Sequence, residues 1–362
     1  MTPPRQILLA VLGVVVVYTA VLAAMDFHLC LNDFWAWSFL ASRMDFGDAA
    51  SLQNGFMPPA YAIFLKLLGP SREIAGAFVL TLLSVLVAVC AVGKIVLRIA
   101  TPGAAALAIG LLALFPPFLQ SGLTAGPDIV VASLVTIAVA VFWREGCDLR
   151  GGMLAGAVLG LAVLIRSHAL FAGVGILLAP VLLDRRIGRA AGGLLLGLTA
   201  GVAVQIIVNL SAGEAAWSNT QAFNVHKMVY GIDWYAPVTP ESASVLSIIA
   251  DEPALFIRQW AGALLRSGVW LLGAAMALIF GWRSGHVPLL RLSGASLIAG
   301  TLYTIPVSLG DSPRAVVVIS ALIVPPVAIL ILELRRQRVV VSALGIAAVL
   351  AVGVTMGLRA DR

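Results

Sequence analysis

The sequence predicts an all-α fold, a polytopic membrane bundle of about eleven transmembrane helices with further short helices on its outer face. Three observations predict it. Apolar runs of near-bilayer length recur from Ile7 to Met356. The chain is 61% hydrophobic and only 11% charged, with a mean hydropathy of +1.04, more apolar surface than a soluble fold could hide. Basic residues gather in alternate inter-run loops, the pattern of loops held on the cytoplasmic side. The net charge of +6 could suit nucleic acid, but these cations are scattered between apolar runs and form no basic stripe.

The first span is Ile7–Met25, and Arg5 before it places the start inside. MTPPRQ and the small Ala23-Ala24 imitate a signal peptide, yet the run of 19 residues exceeds the roughly 7 to 15 of such a segment. A retained span is expected. The outer loop 26–71 follows. Its first part, Asp26 to Tyr61, holds Asp26, Asp33, Asp45 and Asp48, four of the 17 acidic residues in the chain. Ionisable groups at a membrane edge mark functional sites, although a solvated loop also collects aspartate. Within the loop, Asn32–Met44 reads as an amphipathic interfacial helix, with Phe34, Trp37, Leu40 and Ala41 at three- and four-residue spacing. Pro58-Pro59 can open a second short helix, Ala60–Leu68, because a first helical turn tolerates proline.

Ile74–Leu97 is the second span, with Lys94 and Arg98 at its inner end. Ala104–Leu119 is broken by Pro116-Pro117, and Ile129–Trp143 is short and follows Gly126-Pro127-Asp128. Irregular spans of this kind need protein or a water-filled cavity over the freed backbone. Met153–Ile165 and Ala169–Leu183 are separated only by Arg166-Ser167-His168, and Arg185, Arg186 and Arg189 then mark the inside. Gly152, Gly156 and Gly160 form one ridge of small residues. Gly193, Gly197 and Gly201 form another in the next span, Ala190–Leu210. A spacing of four lets helices approach closely in lipid, so these glycines are expected to pack the bundle.

A long polar outer segment, loop 211–256, carries Trp217, Trp234, Tyr235, His226 and Lys227. Spans at Leu255–Phe280, Leu289–Val307, Ala315–Leu332 and Val339–Met356 complete the set. The whole chain, 1–362, therefore reads as one transmembrane domain without a soluble domain. Cys30, Cys90 and Cys147 fall on the outer side, within a span and on the inner side respectively, so no disulfide is expected. No GxxxxGK[ST], GxSxG, HExxH or CxxC occurs, which removes the usual signals of nucleotide hydrolysis and common zinc chemistry.

The order of motifs carries a resemblance. After the first span come Asp33 opening an outer-face helix, a Gly47-Asp48 turn, and Gly55-Phe56-Met57-Pro58-Pro59-Ala60-Tyr61 leading into a short helix. Later come Gly156 to Arg166, GAVLGLAVLIR, then Ser218-Asn219, Asp251-Glu252-Pro253, and Pro313-Arg314 before an apolar span containing Pro325-Pro326. In this order they resemble the GT-C membrane glycosyltransferases that use polyprenyl-phosphate sugars, such as protein O-mannosyltransferases and lipid A aminoarabinose transferases. The chain departs from many members at Phe34, Trp37 and Ala315, where they carry Glu, Tyr and Tyr.

The resemblance implies a glycosyltransferase that moves a monosaccharide, with inversion, from a polyprenyl-phosphate carrier to a glycan, lipid or protein acceptor on the outer face of the plasma membrane. No cofactor is implied with certainty, and a divalent metal is left open. Such transfer needs a base for the acceptor proton and cations for the departing phosphate. Asp33 is the expected base; its other reading is a helix N-cap. Arg166 and Arg314 are the expected phosphate ligands, since arginine binds phosphate in a bidentate fork; both also fit headgroup contacts. Asp128, His168 and Asp48 complete the expected substrate site. Lys227, Arg258 and Arg266 read as contacts to anionic lipid, and the tryptophans as an interfacial belt. Two other classes compete: a transporter or flippase with its site between the broken spans, and a non-catalytic assembly subunit.

Overall fold

A computed structural model describes residues 3–24, 32–52, 58–144, 147–183, 188–214, 216, 221–232, 245–303 and 314–336. Sixteen α-helices and one 3-10 turn make up these residues: α1 (Pro3–Ala24), α2 (Asn32–Arg43), the turn Ala49–Leu52, α3 (Ala60–Leu68), α4 (Glu73–Ile99), α5 (Pro102–Leu114), α6 (Pro116–Gly122), α7 (Pro127–Phe142), α8 (Leu149–Ile165), α9 (Ala169–Leu183), α10 (Gly188–Ser211), α11 (Gln221–Tyr230), α12 (Val245–Asp251), α13 (Pro253–Ser284), α14 (Val287–Tyr303), α15 (Arg314–Val317) and α16 (Ser320–Arg336). The predicted span Val339–Met356, Gly55-Phe56-Met57, and Trp217, Trp234 and Tyr235 lie outside the described residues.

Among the described residues, α4 and α10 are each long and apolar enough to cross a membrane. The pair α5–α6, bent by 66°, makes a third such element. Further apolar helices, Arg5–Val21, Pro127–Phe142, Leu149–Ile165, Ala169–Ala179, Leu271–Ser284 and Val287–Leu302, are shorter. The helices start and stop where local chemistry dictates. Thr101 accepts from the Ala104 N–H with Pro102 at the first helical position of α5, and Asp148 accepts from the Gly151 N–H to cap α8. Helix α5 ends at Pro116-Pro117, which cannot continue its hydrogen-bond ladder. Gly285 ends α13 in the left-handed region at φ 68°, a conformation glycine adopts without a Cβ clash.

Packing closes on itself through α5, α4, α7, α8, α9, α14 and α16, which returns to α5. The most intimate contact joins α8 to α10, and the two glycine ridges face each other there. A Cβ on Gly152 would stand 2.1 Å from the Ala190 carbonyl oxygen, one on Gly156 2.2 Å from that of Leu194, and one on Gly201 2.3 Å from the Gly160 Cα. Backbone therefore meets backbone over three turns, and the residue pairing rises together along both helices. They run parallel, as two spans separated by one other must.

The predicted span Ala315–Leu332 is two pieces. Ser320 donates to the Val317 carbonyl, and the chain turns at Val318-Ile319 before α16 begins. Inside α16, Pro326 lacks the N–H that would serve the Leu322 carbonyl. The Ser296 hydroxyl of α14 donates to that carbonyl instead, shared with the Leu292 carbonyl one turn back on its own helix. A neighbouring helix thus repairs the proline break.

Helices α2 and α3 form as the sequence predicts. The Ser38 hydroxyl donates to Glu73 at 2.8 Å, tying α2 to the start of α4. Trp37, read as a belt residue, is 0% exposed. Its ring meets Tyr61 edge-to-face at 5.6 Å, because the 34/37/40/41 face is covered by protein. The polar segment after α10 contains two helices that periodicity did not flag. Val225 and Val229 of α11, Ile248 of α12, and Phe256 and Ala263 of α13 bury a small core of their own. Lys227, read as a lipid contact, is only 3% exposed. His226 lies against Tyr230 at 4.6 Å between ring centroids, and its Nδ1 is buried without a hydrogen-bond partner.

Candidate functional site

The site is built from two helix ends. Pro127 opens α7 and sets Asp128 in its first turn, where the partial positive charge of a helix N-terminus favours a carboxylate. Helix α8 ends at Ile165, and Arg166 follows in extended conformation, at the end that favours a cation. Because α7 and α8 are consecutive and packed together, these two ends meet. Arg166 Nε lies 3.0 Å from Asp128 Oδ1, with side-chain exposures of 16% and 10%. The contact is an ion pair that sets the carboxylate beside the Nε edge of the guanidinium, while some of the pair still faces solvent. Arg and carboxylate in this arrangement can orient a planar fork toward an anion.

His168 lies in the turn between α8 and α9 and is buried. Burial, reinforced by the neighbouring Arg166 charge, pushes its titration well below the ordinary imidazole range. It is thus a neutral ring that can donate or accept a hydrogen bond without adding charge beside Arg166. The turn is rigid, because the N–H groups of Ala169, Leu170 and Phe171 return to the carbonyls of Arg166, Ser167 and His168.

The other expected site residues lie in different settings. Arg314 is the first residue of α15, which packs against α6 and α7, the helix that carries Asp128. Asp33 is the second residue of α2, and α2 packs on α3, which in turn packs on α4 and α8. The side chains of Asp33 and Arg314 lie outside the described residues. Asp48 is exposed and accepts from the Ala50 N–H at 2.9 Å, capping the Ala49–Leu52 turn, and that turn packs on α10. The structure therefore joins Asp128, Arg166 and His168, brings the Arg314 backbone to the helix of Asp128, and gives Asp48 a local capping contact. Among the described residues, no three His, Cys, Asp or Glu side chains converge in a way that could hold a metal ion.

Sequence reasoning missed a polar ladder on α10. Gln205 Nε2 donates to Asn209 Oδ1 at 2.9 Å, and Asn209 Nδ2 donates to the Ala216 carbonyl at 3.1 Å. The signal was present, since Gln205 and Asn209 continue the four-residue spacing of Gly193, Gly197 and Gly201.

Residues 56–210 match a family described as dolichyl-phosphate-mannose-protein mannosyltransferase. The matched segment contains Asp128, Arg166 and His168. Among solved structures, the chain is similar to ArnT from Cupriavidus metallidurans in the apo state, at 16% identity and a TM-score of 0.52, covering 88% of this chain and 59% of that one. It is equally similar to the same protein bound to undecaprenyl phosphate, at 16% identity and 0.53, covering 88% and 60%. It also resembles the Archaeoglobus fulgidus oligosaccharyltransferase tethered with an acceptor peptide, at 13% identity and 0.51, covering 96% and 53%. The chain thus spans less than two thirds of the length of these solved chains. No curated protein matches it.

Proposed function

Because the chain has the GT-C fold of membrane glycosyltransferases, we propose that it transfers a monosaccharide from a polyprenyl-phosphate carrier to a hydroxyl of a glycan, lipid or protein at the outer face of the plasma membrane. The observation that carries the reading is the Asp128–Arg166 pair. It is a guanidinium steadied by a carboxylate where two packed helices end, inside the segment that matches the mannosyltransferase family. The related ArnT fold is solved with undecaprenyl phosphate, which makes a carrier of that chemistry the natural donor.

In the proposed reaction Asp33 takes the acceptor hydroxyl proton as the acceptor oxygen bonds to the anomeric carbon from the face opposite the phosphate. The anomeric carbon–oxygen bond breaks, its electrons pass to the phosphate oxygen, and the anomeric configuration inverts. Arg166 and Arg314 receive the growing charge on the departing polyprenyl phosphate, with Asp128 positioning Arg166. His168 keeps a neutral wall beside it, and Asp48 holds the turn that covers α10. Residues 1–362 act as one transmembrane unit, with loops 26–71 and 211–256 around the reacting groups.

The test is release of undecaprenyl phosphate from radiolabelled undecaprenyl-phosphate mannose by the purified protein in liposomes, with an acceptor extract. Sugar transfer and carrier release in equal amounts are expected. Movement of intact donor across the bilayer without carrier release would replace the enzyme by a flippase.

A further inference from the structure

The stripe of α10 that faces α8 does not end with its glycines. Gly193, Gly197 and Gly201 touch α8, and Gln205 and Asn209 follow at the same spacing of four, so they lie on the same face of the helix. Gly201 sits against Gly160. One turn further along two parallel helices, Gln205 is level with Leu164, where α8 is about to end and hand over to Arg166. That level lies just before the end of α8 at Ile165, with the Arg166–His168 turn following in the chain.

The ladder also settles which way the Gln205 amide points. Asn209 must present its NH2 to the Ala216 carbonyl, so its Oδ1 faces Gln205, and Gln205 must answer with Nε2. Gln205 Oε1 is left pointing away from the ladder. The residue is 7% exposed, and this oxygen is buried with no hydrogen-bond partner. Burying a carbonyl without a donor is costly, and such atoms in a native fold call for an explanation. The turn Ala49–Leu52 packs on α10. The segment around it is tied to itself: Asp45 N–H to Ser51, Ser51 to the Asp45 and Asp48 carbonyls, Gly47 N–H to Asp45, and Ala50 N–H to Asp48.

We propose that Gln205 Oε1 accepts a hydrogen bond from a hydroxyl of the sugar carried by the lipid-linked donor, making it a sugar-reading residue one helix away from the phosphate ligand. This rests on the proposed function. A neutral carbonyl oxygen suits an O–H donor and gains nothing from a phosphate, which offers acceptors. Arg166 therefore takes the phosphate and Gln205 the sugar.

The test compares binding of undecaprenyl phosphate with that of undecaprenyl-phosphate mannose by wild type and Gln205→Leu in detergent. The variant should bind the sugar-bearing lipid about tenfold more weakly, the cost of a lost buried hydrogen bond, and undecaprenyl phosphate unchanged. Equal weakening of both lipids, or of neither, overturns the proposal. Should the variant fold poorly, wild type alone decides: in a series of monodeoxy-mannose donors, one analogue should lose about tenfold in affinity, and a flat series overturns it. Wild type that binds the mannosyl lipid selectively but never transfers sugar would sink the proposed function and leave this inference standing. Transfer with undiminished sugar selectivity in Gln205→Leu would do the reverse.

Discussion

The Asp128–Arg166 pair can be tested by neutralising it in halves and then whole. At 3.0 Å and an effective dielectric near 20, opposite unit charges attract by about 5 kcal/mol before desolvation is subtracted. Desolvation offsets much of this, so the pair itself adds little net stability. Removing one member is a different matter, because it strands the other charge in a mostly buried place. Asp128→Asn or Arg166→Gln should each cost about 3 kcal/mol, at the lower end of the range for such losses because both groups keep some solvent contact. The double variant leaves two neutral groups of similar size and should cost about the same as either single one, a coupling of about 2 to 3 kcal/mol. Unfolding titrations in mixed micelles with a denaturing detergent measure all four proteins. If the two losses simply add in the double variant, the pair is not an energetic unit and Asp128 does not steady Arg166. Arg166→Lys completes the set. It keeps the charge but not the fork, so undecaprenyl phosphate affinity should fall about tenfold, and unchanged affinity would remove Arg166 as its ligand.

Asp33→Asn keeps the side chain's size in the first turn of α2, so a well-inserted variant should bind donor normally and transfer sugar at least about a hundredfold more slowly; near-normal turnover would clear Asp33 of the base role. His168 resists a proton that the unfolded chain takes up below about pH 6.5, so wild-type stability is full above that pH and declines as pH falls below it. His168→Gln should flatten the decline in unfolding titrations between about pH 7 and 5.5, and parallel wild-type and variant curves would contradict the burial argument. For topology, Ser51 is a poor reporter because its hydroxyl ties Asp45 to Asp48. A cysteine at exposed Ala50, in a background lacking Cys30 and Cys90, should react with an impermeant thiol reagent on intact cells, whereas Cys147 should react only after permeabilisation. Burial pushes the Cys147 thiol up, partly opposed by Arg144, so the permeabilised control is run at alkaline pH; labelling of Cys147 on intact cells would reverse the orientation.

Much of the fold was legible because membrane helices announce themselves by apolar length and proline position. The sequence-based bounds of α3 coincide with the structure, and the two glycine ridges were visible as a spacing before their mutual contact was known. The break in the last described span falls at Val318-Ile319, inside an apolar run that no hydropathy window divides. The site was legible in part. Asp128 and Arg166 stood out singly, as a carboxylate after Gly-Pro and an arginine between short spans. Their pairing depends on α7 and α8 ending at the same level, a tertiary fact. Lys227 was misassigned for a similar reason, because its burial depends on helices α11 to α13 packing together across a gap in sequence. Gln205 went unnoticed because a neutral amide in an apolar helix carries no charge signal.

The glycine seam has a consequence for traffic in the plane of the bilayer. Where side chains separate two helices, an acyl or prenyl chain can wedge between them by shifting rotamers. Between α8 and α10 there is backbone against backbone over three turns, and nothing short of parting the helices would open a slot. This sector of the protein is a closed wall to hydrocarbon. On the proposed reading, a long isoprenoid tail with its head beside Arg166 must therefore leave by another sector.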